Sequence, residues 1–279
     1  MVFSPSRRAR RPRRPRAFAP AAWRRDRLPH QNRAGLQVFL DRLNRRSHLT
    51  PVEQQAVLDL PAYPAEMEAN IDHVALGEMT EFASLVVTGV LGRFGQNARG
   101  DRQITALHVP GDMANLQSVV EPRATSALQA LSRTKILKIP HQALRSAAAR
   151  HPALAEALWR DCMVDAAILS QWVVNIGRRD AASRIAHLLC ETATRQGARE
   201  IQALSFEFPL TQTQIADATG MTSVHVNRTL KALRSAVTLA GRSAHVLDWA
   251  LLVRLADFDP AYLQRDIEPG GRLRIAPAD

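Results

Sequence analysis

Residues 210–235 read LTQTQIADATGMTSVHVNRTLKALRS, and no other stretch of the chain restricts its fold as tightly. A short Ala-containing run over 212–218 stops at Gly220, a residue suited to the left-handed conformation that ends helices. Thr222 then supplies an N-cap for a second helix over 223–235. Two helices joined by a tight glycine turn make a helix-turn-helix. The apolar positions agree. Ile215, Ala216 and Met221 face Val226, Leu230 and Leu233, the last three spaced by four and three. Ser223, Val224, Asn227, Arg228 and Lys231 are left on the opposite face, with His225 at its edge.

The second helix of such a unit enters the DNA major groove, where its first turns meet base edges. Arginine is suited to guanine there and asparagine to adenine. Further along, SAVTLAGRSAHVLDW reads as two short strands about Gly241 and Arg242, a wing whose arginine can touch a phosphate. The candidate DNA-contacting residues are therefore Gln212, Thr222, Ser223, Val224, His225, Asn227, Arg228, Lys231 and Arg242.

Charge adds little to this argument. The net charge is +11, but the first thirty residues hold ten Arg against a single acid, Asp26, and the rest is nearly neutral. Residues 1–33 are Arg- and Pro-rich, lack a hydrophobic period and read as a disordered tail. No apolar stretch follows those arginines as a signal peptide requires. Nor does any apolar run approach the ~20 residues of a membrane span, so no membrane association is expected. Cys162 and Cys190 are the only cysteines, which excludes a disulfide framework and a four-cysteine metal site. They read as small buried hydrophobes in a reducing, cytoplasmic compartment.

Upstream of the helix-turn-helix the pattern falls into blocks. Leu36, Phe39, Leu40 and Leu43 recur at helical spacing. PVEQQAVLDLP reads as a helix capped by Thr50, with Pro51 in its first turn and Glu53 closing a capping box. Between about residues 70 and 140, SLVVTGVLGRF, QITALHVPGD, SALQALS and KILKIP read as strands of a small β-barrel or sandwich. Residues 96–103 (QNARGDRQ) form a hairpin connection, and the Arg-Gly-Asp within it is a turn. Residues 152–176 form one long helix. Leu154, Leu158, Cys162, Ala166, Leu169, Trp172 and Ile176 share an arc of about 120° on it, read as a coiled-coil-like dimer seam. Asp161 and Asp165 fall inside the same arc and count against a dry seam. RRDAASRIAHLLCETATRQG makes an amphipathic helix closed by Gly197.

This order, together with LTQTQIADATGMTSVHVNRTLKALR, GRRDAASRIAHLLCE and the VPGD turn at residues 109–112, resembles the Crp/Fnr family of bacterial transcription regulators. The resemblance covers about residues 34–265. It implies an α+β chain: an N-terminal cyclic-nucleotide-binding-type β-barrel (jelly roll), a long dimerisation helix and a C-terminal winged helix-turn-helix. The implied units are a tail at 1–33, a sensor at 34–150, the dimerisation helix at 151–177, the DNA-binding domain at 178–255 and a C-terminal tail at 256–279. The implied partners are double-stranded DNA with a palindromic promoter site, a second copy of the chain, and RNA polymerase. No cofactor, metal or catalytic residue is expected.

Several positions depart from the family pattern. Leu116 stands where cyclic-nucleotide binders place a ribose-binding Glu, and Ser126 where they place a phosphate-binding Arg, with Arg123 and Thr125 out of register. Cyclic AMP is therefore not the expected effector. The family's oxygen sensors use an N-terminal cysteine cluster, and residues 1–161 contain no Cys. His73, His108 and His141 are the possible haem ligands in the barrel and read as structural. Val224 replaces a Glu frequent in the family's recognition helix, whereas Arg228 matches. Two other classes compete with a sequence-specific regulator. One is a nonspecific nucleic-acid binder driven by the tail. The other is a cupin-type enzyme, for which the strands lack clustered His and Glu.

Overall fold

The computed structural model describes residues 29–197, 204–265, 267 and 271–275. Most of the Arg-rich segment, residues 1–28, lies outside the described residues. Helix α1 (Pro29–Asn44) already begins at Pro29, so residues 29–33 are helical rather than tail. Leu36, Phe39, Leu40 and Leu43 all point into the core, as their spacing predicts. Helix α2 (Pro51–Leu58) starts with the expected capping box: the Thr50 hydroxyl accepts from the Glu53 amide, and the Thr50 amide donates to the Glu53 carboxylate at 2.7 Å.

Seven strands follow: β1 (Tyr63–Met67), β2 (Asp72–Val74), β3 (Phe82–Thr88), β4 (Leu91–Gln96), β5 (Arg102–His108), β6 (Ala127–Ala130) and β7 (Thr134–Pro140). They form two antiparallel sheets, ordered β1-β7-β3 and β2-β6-β4-β5. No strand pair joins the sheets among the described residues, so the expected barrel is a two-sheet jelly roll. Val86 and Ile136 of one sheet meet Leu91 and Leu128 of the other in its core. The β4–β5 hairpin lies where QNARGDRQ predicts it, and Gly100 takes a φ of 92° in its turn.

Helix α3 (His141–Arg150) leads into α4 (Pro152–Arg178), a helix of 27 residues. Here the seam expectation needs correction. Leu154, Leu158 and Trp172 are buried within their own protomer. The large apolar residues left uncovered are Trp159, Met163 and Val173, which are 68%, 63% and 60% exposed. With Ala166 and Ser170 they repeat at four and three residues, on a face turned about 80–90° from the expected one. Leu169, 43% exposed, sits at the edge of that face. A helix clamped on one side by its own domain and free on another has two apolar faces. Their summed period points between them, which explains the misplacement.

Asp161 and Asp165 lie on the face buried within the protomer, where they turn back onto α1. Asp161 accepts from Arg42 Nε at 2.6 Å and from Arg46 Nη1 at 2.7 Å. Arg42 also pairs with Asp112 of the VPGD turn, and more loosely with Asp165 at 3.5 Å.

The C-terminal half contains α5 (Ala181–Arg195), β8 (Leu204–Glu207), α6 (Gln212–Thr219), α7 (Ser223–Ala232), β9 (Val237–Ala240), β10 (Ser243–Val246) and α8 (Trp249–Ala256). Three strands make the wing sheet, in order β8-β10-β9. Residues beyond 256 are not simply a tail. Tyr262 donates its hydroxyl to buried Glu191 at 2.8 Å, Leu273 bridges to Ser47, and Arg274 reaches Glu53 with both terminal nitrogens, at 2.7 and 3.0 Å.

Candidate nucleic-acid interface

Helix α6 begins with a second capping box. The Thr211 hydroxyl accepts from the Gln214 amide at 3.2 Å, and the Thr211 amide donates to Gln214 Oε1 at 2.8 Å. Its signal in the sequence is T-x-x-Q, Thr211 to Gln214. The helix ends at Gly220, whose φ of 65° is left-handed. Any side chain there would carry that strain. Thr222 caps α7 as expected, its hydroxyl accepting from the His225 amide at 3.2 Å.

Ile215, Ala216, Val226 and Leu233 are buried against Ile185, Leu188 and Leu189 of α5, while Met221 and Leu230 are partly covered. Thr229, unremarked in the sequence, is also buried, and its hydroxyl donates to the His225 carbonyl. With that side of α7 fixed, its other side faces solvent. Val224 is 82% exposed, and Arg228 and Lys231 are exposed beside it. Asn227 donates to Gln212 Oε1 at 3.3 Å, and the Ser223 hydroxyl to Thr213 at 3.4 Å. These two bonds join the exposed surfaces of α6 and α7 into one polar face.

The remaining candidates sit differently. His225 turns toward Ala181, Arg184 and Gly220, along a groove beside α5. Arg242, at the wing turn, is paired with Glu207 at 3.0 Å and is still half exposed. Arg184, which sequence reasoning missed, donates to the Thr219 carbonyl at 3.1 Å and holds the end of α6.

The exposed face of α6 and α7 is fixed to the jelly roll through α6. Gln214 Nε2 donates to the Leu131 carbonyl at 3.0 Å, and Gln103 Nε2 to the Ala218 carbonyl at 3.3 Å. Arg102, lying 3.9 Å over the Phe94 ring, approaches Asp217 at 3.8 Å. A deeper tie runs through α5. Arg195 pairs with Asp112 of the sensor and with Glu191, and Glu191 accepts from Trp172 Nε1 at 3.1 Å. Burial pulls the Glu191 carboxyl upward, and Arg195 opposes it.

Inside the jelly roll the pocket measures only about 30 Å³, room for no more than a few waters. Ser126, Arg123 and Thr125 line it, whereas Leu116 is buried in the hydrophobic core. A nucleotide does not fit it. His108 and His141 are buried, and the His141 ring bonds Ser118 Oγ at 2.8 Å. His73 bonds Ser84 at 2.7 Å, and burial lowers its pKa to about 4. Both cysteines are unpaired, and burial raises both thiols. Among the described residues, no group of three His, Cys, Asp or Glu is placed to hold a metal ion. Nor is any described helix long and apolar enough to cross a membrane.

The family model for the Crp-like helix-turn-helix domain matches residues 183–255. A probable transcriptional activator of Rhizobium leguminosarum bv. viciae is 27% identical over 169 residues, 61% of this chain and 70% of that protein. The transcriptional activator protein FnrL of Cereibacter sphaeroides is 26% identical over 216 residues, 74% of this chain and 86% of that protein. The solved structure of FixK2 from Bradyrhizobium japonicum superposes with a TM-score of 0.63 at 25% identity, covering 70% of this chain and 98% of FixK2. Jelly roll, long helix and winged helix-turn-helix occur here in one order, residues 183–255 form a Crp-like helix-turn-helix domain, and these similarities support a transcription regulator of the Crp/Fnr type.

Proposed function

We propose that the protein is a cytoplasmic, non-enzymatic regulator that binds a palindromic promoter site as a homodimer and contacts RNA polymerase there. The observation that carries this reading is the exposed face of α7. It presents Val224, Arg228 and Lys231 to solvent while Val226, Thr229 and Leu233 anchor the helix. Arg228 reads a guanine in each half-site, and Asn227 and Ser223 contact neighbouring bases. Gln212, Thr222, Lys231 and Arg242 hold the phosphate backbone, and His225 lies at the rim. Trp159, Met163 and Val173 form the dimer seam. The effector is not cyclic AMP, a reading supported by the small pocket and by the burial of Leu116.

Selection of preferred DNA sequences, followed by gel shifts with Arg228→Ala and Lys231→Ala, tests this assignment. Losing a bidentate guanine contact costs ~1–3 kcal/mol per half-site, so Arg228→Ala weakens specific binding and relaxes one position of the motif. Lys231→Ala weakens all sequences about equally. An unchanged preference at every position in Arg228→Ala places base readout elsewhere. Loss of all discrimination on removing residues 1–28 assigns binding to the tail instead.

A further inference from the structure

We infer that the cleft between the sensor and the DNA-binding domain is a binding site for a small polyanion, either a di- or tricarboxylate or a phosphorylated metabolite, that acts as the regulator's effector. The cavity encloses about 300 Å³, at the lower end of small-molecule sites. α1 and the turn at Gly111 form its sensor wall, α4 its floor, and the end of α5 with the segment after Leu263 its far wall. Five arginines line it: Arg42, Arg45, Arg46, Arg195 and Arg265. No acidic side chain lines it among the described residues.

The carboxylates lie behind the arginines. Asp112 and Asp161 hold Arg42, Asp161 holds Arg46, and Asp112 and Glu191 hold Arg195. That arrangement fixes three guanidinium groups as a preformed wall rather than a solvated fringe. Arg42, Arg46 and Arg195 are only 12%, 5% and 5% exposed. The wall is not fully satisfied. Arg195 Nε is buried and has no hydrogen-bond partner among the described residues. Burial, with the neighbouring Arg42 charge adding to it, lowers Arg46 to about 10, while burial at Arg42 and Arg195 is outweighed by the carboxylates behind the wall, which raise both. Guanidinium forks of this kind suit carboxylate and phosphate oxygens. The backbone also closes in: at Gly111, φ 92°, an added Cβ would meet Val38 Cγ1 at 2.9 Å.

Naming this ligand an effector rests on the regulator reading above, but the binding does not. Calorimetry on the full-length chain at physiological ionic strength, with inorganic pyrophosphate and with citrate as probes, tests it without DNA. Saturable binding of one or both probes at one site per protomer is expected, and the preferred probe identifies phosphate or carboxylate chemistry. Arg45 has no ion pair among the described residues, so Arg45→Gln spares the buried network while weakening binding about tenfold or more. Val38→Trp fills the cavity, keeps every arginine and abolishes binding, with thermal melts checking that both variants stay folded. The ten arginines of residues 1–30 also attract polyanions, but both variants retain them. Binding that survives both substitutions unchanged, or no saturable binding of either probe, overturns the proposal. A failed gel shift alongside intact calorimetry would instead remove the regulator reading.

Discussion

Asp161 offers the sharpest test of how the two halves are held together. Its carboxylate is 1% exposed, and one oxygen accepts from both Arg42 and Arg46 at 2.6 and 2.7 Å. Asp161→Asn keeps the shape and removes the charge. Arg46 then has only neutral acceptors in contact, the amide oxygen at position 161 and the backbone carbonyls of Leu263 and Gln264, the last two at 2.9 and 3.3 Å. Arg42 keeps Asp112. Removing one partner of a buried ion pair costs ~3–5 kcal/mol, because the other charge stays behind. The surviving partners place this case near the lower bound, about 3 kcal/mol. For a chain of this size that is a fall in Tm of roughly 6–12 °C, at fixed protomer concentration.

Asp165→Asn is the control. Asp165 lies 3.5 Å from Arg42, and burial together with the Asp161 charge raises its pKa to about 6. An acid whose folded pKa lies above its unfolded value of 3.8 holds its proton more tightly when folded, so stability falls as pH rises from about 4 to about 6. Asp165→Asn is therefore neutral or stabilising at pH 7.5, and its effect disappears by pH 4. Melts of both variants at the two pH values decide the matter. If Asp161→Asn costs less than 1 kcal/mol, or no more than Asp165→Asn, the buried network is not what ties α1 to α4.

Met163→Asp or Val173→Asp puts an unpaired charge into the proposed seam and yields a folded monomer by sedimentation, whereas Leu158→Asp, in the protomer core, fails to fold. Gly220→Val forces a β-branched residue to a φ of 65° and lowers stability by ~1–2 kcal/mol in urea titrations; no loss would mean that the turn relaxes. Burial pushes the Glu53 carboxyl up, but hydrogen bonds from Arg274 and Thr50 outweigh it and hold the pKa at about 2. Its contribution is present above the unfolded value of 4.5 and is lost as pH falls toward 2. Arg274→Ala is thus destabilising at pH 7 in thermal melts, and the difference from the parent protein shrinks below pH 4.

What the sequence disclosed follows the range of the forces involved. Caps and turns are written within four residues, so Thr50, Thr222, Gly220 and the β4–β5 hairpin were legible. The helix-turn-helix core was too, because Val226 and Leu233 repeat at helical spacing. The wing's β9 and β10 show as two short runs about Gly241, while β8, which pairs with β10, does not, since LSFE is short and pairs across an intervening helical unit. Long-range charge pairs leave no local trace. Arg46 meets Asp161 across 115 positions, and Arg274 meets Glu53 across 221. Hence two aspartates within an apolar helix looked anomalous, and a segment that returns to the sensor looked like a tail.

The two ties between sensor and reading head differ in strength, and that difference sets how the head can move. At α6 the polar contacts are hydrogen bonds to the carbonyls of Leu131 and Ala218 and an Arg102–Asp217 pair at 3.8 Å, partly open to water, beside apolar packing that joins Ile104 and Leu131 to Ile215 and Ala218. Such a pair is worth ~0–1 kcal/mol, and its groups find water readily when parted. At the end of α5, Asp112 is 2% exposed and shared by Arg42 and Arg195. Parting Arg195 from Asp112 breaks a buried ion pair; Arg42 stays on Asp112 and Glu191 on Arg195, which puts the cost toward the lower end of ~3–5 kcal/mol. In polar contacts alone, freeing α6 costs less than breaking the Asp112 centre. A pivot of the DNA-binding domain about the end of α5, with α6 and the exposed face of α7 on the swinging side, is the motion that this difference in polar contacts favours. A change at Asp112 or its arginines shifts the pivot itself, whereas a change in the β4–β5 hairpin only loosens the far edge.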